Sequence, residues 1–270
     1  MTAAAPPLCG VLGYPVWHSR SPAIQNAAFR SAGLDWRYVA LPIRPELFDE
    51  TVRALPGSGY RGANVTIPHK LAALRLADRA TPAAEAIGAA NTLSFSGGSI
   101  EADNTDAGGL LDALDRPVTG LRVLVLGAGG AGRAAAWALR EAGAAEVAVW
   151  NRTPERAASL ARELGVSAVE RPGRADVLVN ATSVGLDPAL PEPEALAALG
   201  LVDAAPPPLV VDLVYTREGA TPPVAAWAAG GGATVIDGLD VLVRQGARSF
   251  SLWTGLPAPL EAMREAARAG

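Results

Sequence analysis

Apolar residues in the first hundred positions come in short continuous runs closed by glycine or polar clusters, and between them lie stretches with helical spacing. The run Leu8-Cys-Gly-Val-Leu-Gly13 predicts a strand over residues 8–13. The polar loop Tyr14-Pro-Val-Trp-His-Ser-Arg-Ser-Pro22 follows, then a helical pattern over 23–32 with Pro22 at a favourable first helical position. A strand at 36–43, a helix at 45–55 and a strand at 60–66 come next, the last carrying Asn64 and Thr66 to its carboxyl end. This β-α-β-α-β order predicts a largely parallel sheet whose ligands lie beyond the carboxyl ends of the strands. A helical stretch over 71–87 leads to two strands, 91–96 and 99–102, about Gly97-Gly98. Asp103-Asn-Thr-Asp106 then opens a helix over 107–114, with Thr105 or Asp106 as a good cap.

From residue 120 the pattern changes. Residues 120–126 form a continuous apolar strand, Gly127-Ala-Gly-Gly-Ala-Gly132 follows directly and opens a helix over 133–142, and 146–150 is the next strand. Two more strands, 175–180 and 209–214, end in the polar clusters Asn180-Ala-Thr-Ser-Val-Gly185 and Tyr215-Thr216. Residues 204–208 read as a loop, the Ala/Gly-rich stretch 221–233 as loose turns, and 234–236 as a last short strand. A helix over 238–250, broken by Trp253-Thr-Gly-Leu-Pro257, and a closing helix over 259–269 complete the chain, which shows no internal repeat.

With 270 residues and half of them hydrophobic, the chain can build one large or two ordinary cores. A net charge of −4, a pI near 5.3 and no basic run give no footprint for nucleic acid or an anionic membrane. Cys9 stands alone, which excludes an internal disulfide and fits a reducing compartment. Residues 1–8 lack a basic, then apolar, leader pattern, and no stretch approaches roughly 18 uninterrupted apolar residues, so the expected location is cytoplasmic. The two histidines, His18 and His69, lack a ligand pattern for a metal and read as loop residues that line or support a pocket.

Candidate chemistry begins with Asn64-Val-Thr-Ile-Pro-His-Lys70. Lys70 is the only lysine, the other twenty-two strong cations being arginine. An amine can give and take a proton where a guanidinium stays charged, and Lys70 falls where the strand order puts a pocket. The glycine pattern at 127–132 lies inside a complete βαβ unit, which raises a weak motif to a strong sign of dinucleotide binding. One strand later, where an NAD site would place an acidic residue, stands Asn151-Arg-Thr-Pro-Glu-Arg156. Arg152 and Arg156 can bind a 2′-phosphate, and cations at a helix start, disfavoured by the macrodipole, ask for an anion; together they predict NADP.

These motifs, with Ala90-Asn-Thr92, Asp103-Asn-Thr-Asp106, Asn151-Arg-Thr153, Asn180-Ala-Thr-Ser183 and Gly238…Gln245-Gly-Ala247, resemble shikimate dehydrogenase over nearly the whole chain. The resemblance implies an α/β fold: an N-terminal α/β substrate domain, residues 1–105 completed by 238–270, and a Rossmann-type NADP-binding domain, residues 106–237, with the C-terminal helices returning to the first domain. It implies reversible reduction of the C3 ketone of 3-dehydroshikimate by NADPH, in the biosynthesis of chorismate and the aromatic amino acids. On the family pattern Lys70 and Asp106 pair as the catalytic residues, and the sequence leaves open which of them is the dominant proton donor. Ser19 and Ser21 would hold the substrate carboxylate, though Ser21 could by itself cap the helix ahead of Ala23. Asn64, Thr66, Asn91, Tyr215 and Gln245 would bind ring hydroxyls or line the carboxylate end. Gly127, Ala128, Gly129, Gly130, Ala131, Asn151, Arg152, Thr153, Arg156, Thr182, Leu213 and Gly238 would hold NADP, and no metal is implied. The partner is the small-molecule substrate, and the enzyme would be a monomer or homodimer. Two departures touch the nicotinamide end: Val241 replaces a common Met, and the 215–222 loop looks one residue longer and lacks a common proline. The alternatives are a quinate/shikimate dehydrogenase using NAD or both cofactors, and a non-catalytic NADP-binding sensor, which has no use for Lys70 and Asp106.

Overall fold

Short apolar runs between polar loops give the first part of the chain its strands. The computed structural model describes residues 5–216 and 219–269; residues 1–4 of the segment read for a leader, and 217 and 218 of the 215–222 loop, lie outside it. Two compact units form, one from the chain up to Thr105 and again from Val243, the other from Asp106–Leu242.

In the first unit, β1 (Leu8–Gly13), α1 (Ser21–Ser31), β2 (Arg37–Pro42), α2 (Phe48–Ala54) and β3 (Tyr60–Val65) follow the predicted order, with a 3-10 turn over Pro45–Leu47 in place of the first turn of the second helix. The predicted helix over 71–87 is instead α3 (Lys70–Leu76), a two-residue strand β4 (Arg79–Ala80) and α4 (Pro82–Ile87). Local polar groups break it. Ala77 turns extended, Asp78 Oδ2 accepts the Ile100 N–H at 2.8 Å, and Thr81 caps α4 through Ala84 N–H ahead of Pro82. Strands β5 (Thr92–Ser96) and β6 (Ser99–Asp103) complete a sheet of order β2-β1-β3-β5-β6-β4. Its β1 runs parallel to β2 and β3, but β5 is antiparallel to both β3 and β6, so the sheet is mixed rather than largely parallel. Gly97 and Gly98, both at positive φ, make the tight hairpin that turns β5 back into β6. One core holds Leu12, Phe48, Val52, Val65, Leu93 and Phe95.

The second unit opens with α5 (Thr105–Leu114) and continues through β7 (Arg122–Leu126), α6 (Gly130–Glu141), β8 (Glu146–Trp150), α7 (Pro154–Leu164), β9 (Ser167–Ala168) and β10 (Val177–Asn180). It then adds α8 (Glu192–Ala198), β11 (Leu209–Asp212), α9 (Pro223–Gly230), β12 (Thr234–Ile236) and the start of α10 (Gly238–Thr254). All six strands are parallel in the order β12-β11-β10-β7-β8-β9, the doubly wound arrangement whose order reverses between β7 and β10. Alternate side chains of each strand serve opposite faces: Val123, Val125, Val177 and Val179 join one core, Leu124, Leu126, Leu178 and Val210 the other. The stretch 221–233 is therefore not loose turns: α9 buries Val224, Ala225 and Ala228. Helix α8 has no counterpart among the elements expected from the sequence.

A carboxylate helps to hold α9. Asp212, 1% exposed at the end of β11, accepts from Asn180 Nδ2 at 2.9 Å and Val214 N–H at 3.1 Å, while Oδ2 has no partner of good geometry among the described residues. Burial pushes its carboxyl up to about 6, against the lowering influence of the Val214, Asn180 and Ala225 donors. Because Pro222 and Pro223 bring no N–H to the start of α9, this carboxylate sits where few backbone donors are left to meet it.

Beyond Leu242, α10 and α11 (Leu260–Arg268) rejoin the first unit. Helix α1 packs on α11, Gln25 Nε2 donates to Gly246 O at 2.8 Å, and the Phe29 ring packs between Trp36 and Phe250. Helix α10 runs through Trp253 to Thr254, four residues past the predicted end. The Trp253 indole donates to Leu93 O at 3.0 Å and lies over Gly62, where any Cβ would enter the ring.

Gly62→Ala should destabilise the protein by about 1–3 kcal/mol through overpacking, read as a lower urea midpoint; a wild-type midpoint would refute that packing account. For Asp212, whose folded value lies above its unfolded one, stability is fully present at pH below about 4 and is lost as pH rises through about 6. Asp212→Asn should therefore gain roughly 2–3 kcal/mol relative to wild type between pH 4 and pH 7. Parallel stability curves for the two proteins over that range would contradict it.

Candidate active site

Strand β3 ends at Val65, and the next two residues are held by backbone bonds to the end of β1 and the loop after it. Thr66 N–H donates to Leu12 O at 2.8 Å and Tyr14 N–H to Ile67 O at 3.0 Å, while a Cβ on Gly13 would strike the Thr66 methyl. His69 fixes the entry to α3. Its ring stacks on Phe48 at 4.3 Å and its Nε2 lies 2.7 Å from Ile43 O; a carbonyl only accepts, so Nε2 carries the hydrogen. Burial holds this imidazole below its usual range, with the Ile43 bond opposing. His69, 2% exposed, thus supports the loop, whereas His18 is exposed. Lys70 is the first residue of α3, half-buried, and its carbonyl takes the Ala90 N–H at 2.9 Å.

Ser19 and Ser21 lie together at the start of α1. The helix begins at Ser21, so Ser21 is not its cap; Arg20 occupies that position and Ser19 Oγ accepts the Ser21 N–H at 3.2 Å. The Ser21 hydroxyl therefore takes no part in capping.

Asn64, Asn91 and Gln245 converge in one buried network of the first unit. Asn64 Oδ1 accepts from Tyr38 Oη at 2.7 Å, and its Nδ2 lies 2.9 Å from Ser249 Oγ, 3.1 Å from Thr92 Oγ1 and 3.2 Å from Asn91 O. Asn91 Oδ1 accepts the Thr105 N–H at 2.7 Å, and Asn91 Nδ2 donates to Thr105 Oγ1 at 3.0 Å and Gln245 Oε1 at 3.1 Å. Every member is buried: Asn64 is 5% exposed, Asn91 2%, Thr92 0%, Thr105 4%, Gln245 7% and Ser249 0%. The Asn64 amide is committed to this network, so it braces its neighbours. Of these residues, Tyr38, Thr92, Thr105 and Ser249 are not among those the sequence assigned to the site; a polar side chain at a strand end or in a mostly apolar helix is the only available signal. Helix α5 starts at Thr105, two residues earlier than predicted, which places Asp106 in its first turn, half-buried, in the second unit. Thr66 is half-buried beside Gly13, and Tyr215 is half-buried in the second unit.

The second unit carries a glycine-rich turn between β7 and α6. Gly127 adopts φ +106°, and a Cβ there would lie 2.9 Å from Ala181 O; a Cβ on Gly132 would run into Gly127 O. A Cβ on Gly129 would meet nothing within 4 Å. Helix α6 begins behind that space with Gly129 at its cap position and no side-chain cap, so its first N–H groups are available to an anion. Asn151 holds the turn: Oδ1 accepts the Ala128 N–H at 3.1 Å and Nδ2 donates to Thr153 O at 3.0 Å. Arg152 and Arg156 are exposed at the start of α7. Ala128, Gly130 and Ala131 are part-exposed in the same turn, and Thr182 Oγ1 bonds Asn180 Oδ1 at 2.7 Å at the end of β10. Gly238 backs directly onto the carbonyls of Leu213 and Val214, both 2.7 Å from where its Cβ would stand. Val241, at the position of the family's Met, is packed into the core of this unit. The open space at Gly129, the bare helix start and two exposed guanidinium groups fit a phosphorylated dinucleotide.

Comparison with known proteins agrees with this arrangement. Residues 11–93 match the family described as Shikimate dehydrogenase substrate binding domain, residues 112–186 that described as Shikimate / quinate 5-dehydrogenase, and residues 238–268 the Shikimate 5'-dehydrogenase C-terminal domain. A Shikimate dehydrogenase (NADP(+)) of Thermus thermophilus is 46% identical over 275 residues, spanning 96% of this chain and 96% of the relative. One of Methanopyrus kandleri is 44% identical over 279 residues, spanning 95% and 93%. The crystal structure of a Thermus thermophilus shikimate 5-dehydrogenase in complex with NADP(H) and shikimate matches with a TM-score of 0.83 at 43% identity, over 97% of this chain and 99% of that one. With likeness of this extent running through both units and the returning helices, the chain belongs to the shikimate dehydrogenase family.

Proposed function

We propose that this protein interconverts 3-dehydroshikimate and shikimate with NADPH and NADP, using Lys70 and Asp106 to handle the proton. The observation that carries the reading is full-length likeness to NADP(+) shikimate dehydrogenases in a chain whose sole lysine opens α3. When bound, the cofactor delivers hydride to the substrate carbon in reduction and takes it back in oxidation. Reduction leaves negative charge on the substrate oxygen, which a general acid must meet with a proton. Lys70 supplies that proton and its neutral amine recovers it in the reverse direction, a cycle closed to arginine. Asp106, in the first turn of α5, orients the amine and a substrate hydroxyl.

The first unit supplies most of the remaining substrate contacts in this reading. Ser19 and Ser21 donate to the carboxylate, and Thr66, Asn91 and Gln245 meet ring oxygens, with Asn64 bracing Asn91 from behind; the second unit adds Tyr215. In the second unit the glycine turn and the start of α6 hold the pyrophosphate, while Arg152, Thr153 and Arg156 take the 2′-phosphate, with Thr182, Leu213 and Gly238 toward the nicotinamide. We infer a cytoplasmic monomer or homodimer without a nucleic-acid partner, from the net charge of −4 and the absence of any basic run. Among the described residues no helix is long and apolar enough to cross a membrane.

Following NADPH formation with shikimate and with quinate, then repeating with NAD, tests the assignment; turnover of quinate alone would overturn it. Lys70→Ala should lower kcat about 10²- to 10⁴-fold with NADP affinity nearly intact, and Lys70→Arg should not restore it. Wild-type turnover in either variant would remove Lys70 from the mechanism. Arg152→Ala should raise the KM for NADP about 10- to 100-fold and leave that for NAD little changed; equal effects on both cofactors would show that Arg152 does not read the 2′-phosphate.

A further inference from the structure

The buried network of the first unit has a fixed polarity, because several of its members can act in one sense only. A backbone N–H can only donate, so Thr105 N–H, 2.7 Å from Asn91, fixes Oδ1 as the atom that faces it. The other end of that amide, Nδ2, can only donate as well, and it gives to Gln245 Oε1 at 3.1 Å. The carbonyl end of Gln245 is thereby turned toward Asn91, and its donor end, Nε2, is turned away from it.

Ser249 lies one helical turn after Gln245 on α10, with 0% exposure. Its Oγ is 2.9 Å from Asn64 Nδ2, 2.9 Å from Thr92 Oγ1, 3.1 Å from Thr105 Oγ1 and 3.2 Å from Gln245 O. Asn64 Nδ2 has hydrogens to give and no lone pair to offer, so Ser249 accepts there and passes its single proton onward. One hydroxyl thus couples the turn of α10 that carries Gln245 to β3 through Asn64, to β5 through Thr92 and to the start of α5 through Thr105. An alanine there would take away one of the three acceptors that face Asn64 Nδ2 and one bonding partner each of Thr92 Oγ1 and Thr105 Oγ1.

We propose that Ser249 is a positioning residue of the substrate site: through its bonds to Asn64, Thr92 and Thr105 it holds in place the turn of α10 that carries Gln245, where Asn91 turns Oε1 inward, so that Gln245 presents N–H groups and recognises an oxygen lone pair on the substrate. This rests on the preceding assignment of Gln245 and Asn91 to substrate binding. Ser249 itself touches no substrate; its effect passes through Gln245.

Steady-state kinetics on Ser249→Ala, Ser249→Thr, Gln245→Ala and the Gln245→Ala/Ser249→Ala double variant test this. Ser249→Ala should raise the KM for shikimate about fivefold to twentyfold, with kcat and the KM for NADP within about twofold of wild type. Ser249→Thr, which keeps the hydroxyl, should restore most of the loss. In the Gln245→Ala background Ser249→Ala should add nothing further to KM, although it still lowers the melting temperature; a merely structural role would not produce that coupling. An unchanged KM in Ser249→Ala, or the same increment with and without Gln245, overturns the proposal. Should Ser249→Ala fail to fold, Thr105→Val, which keeps the backbone donor and loses the hydroxyl partner of Ser249, reads the same coupling to Gln245 and carries the same two outcomes. Failure of the unmodified protein to oxidise shikimate is a separate result, which removes the assignment of function and this inference with it.

Discussion

The hydrogen bond from the Thr105 backbone N–H to Asn91 Oδ1, 2.7 Å long and closed to solvent, sets the sense of Asn91 and, through it, of Gln245 in the first unit's buried network. A buried donor left without an acceptor costs about 1–3 kcal/mol, so a chain of amides and hydroxyls sealed in this way has few consistent arrangements. Once Asn91 is oriented, Gln245 follows, and Asn64, Thr92 and Ser249 settle around them. The same residue that begins this chain of dependence is the first of α5, and the next residue along is Asp106.

The second unit solves its problem with absent atoms. Gly127 and Gly132 touch where side chains cannot fit, and this closeness turns the chain sharply from β7 into α6. Asn151 uses both ends of its amide to hold that turn. Asp212 shows the penalty of polar construction in the same unit. It is a carboxylate buried beside a helix whose cap and first residue are both prolines, and burial shifts its protonation toward pH 6.

Elements that depend on local apolar continuity were legible in the sequence. Strands β1, β8 and β12 lie where the apolar runs placed them, and the glycine turn sits between a strand and a helix as its spacing required. The chain from 71 to 87 misled because its alanines and leucines favour helix throughout, while Asp78 and Thr81 act through bonds to Ile100 and Ala84 that the pattern does not display. Helix α9 was missed for the opposite reason: buried beside its sheet and apolar at almost every position, it shows no polar stripe from which a period can be read. Among the residues proposed for the site, Lys70 stood out by its chemistry, Arg152 by its place after β8. Ser249 and Tyr38 carried no such mark, since a serine in a helix and a tyrosine in a strand acquire meaning only from neighbours 185 and 26 residues away in sequence.

The return of the chain to its first unit also orders events at the ribosome. Residues 106–242 are continuous and can complete their own sheet as soon as they emerge, whereas the notch at Gly62 stays open until Trp253 leaves the exit tunnel. Gln245 and Ser249 arrive in that same late segment. A nascent chain stalled before α10 would thus hold a complete second unit and a first unit still lacking the indole that fills its notch.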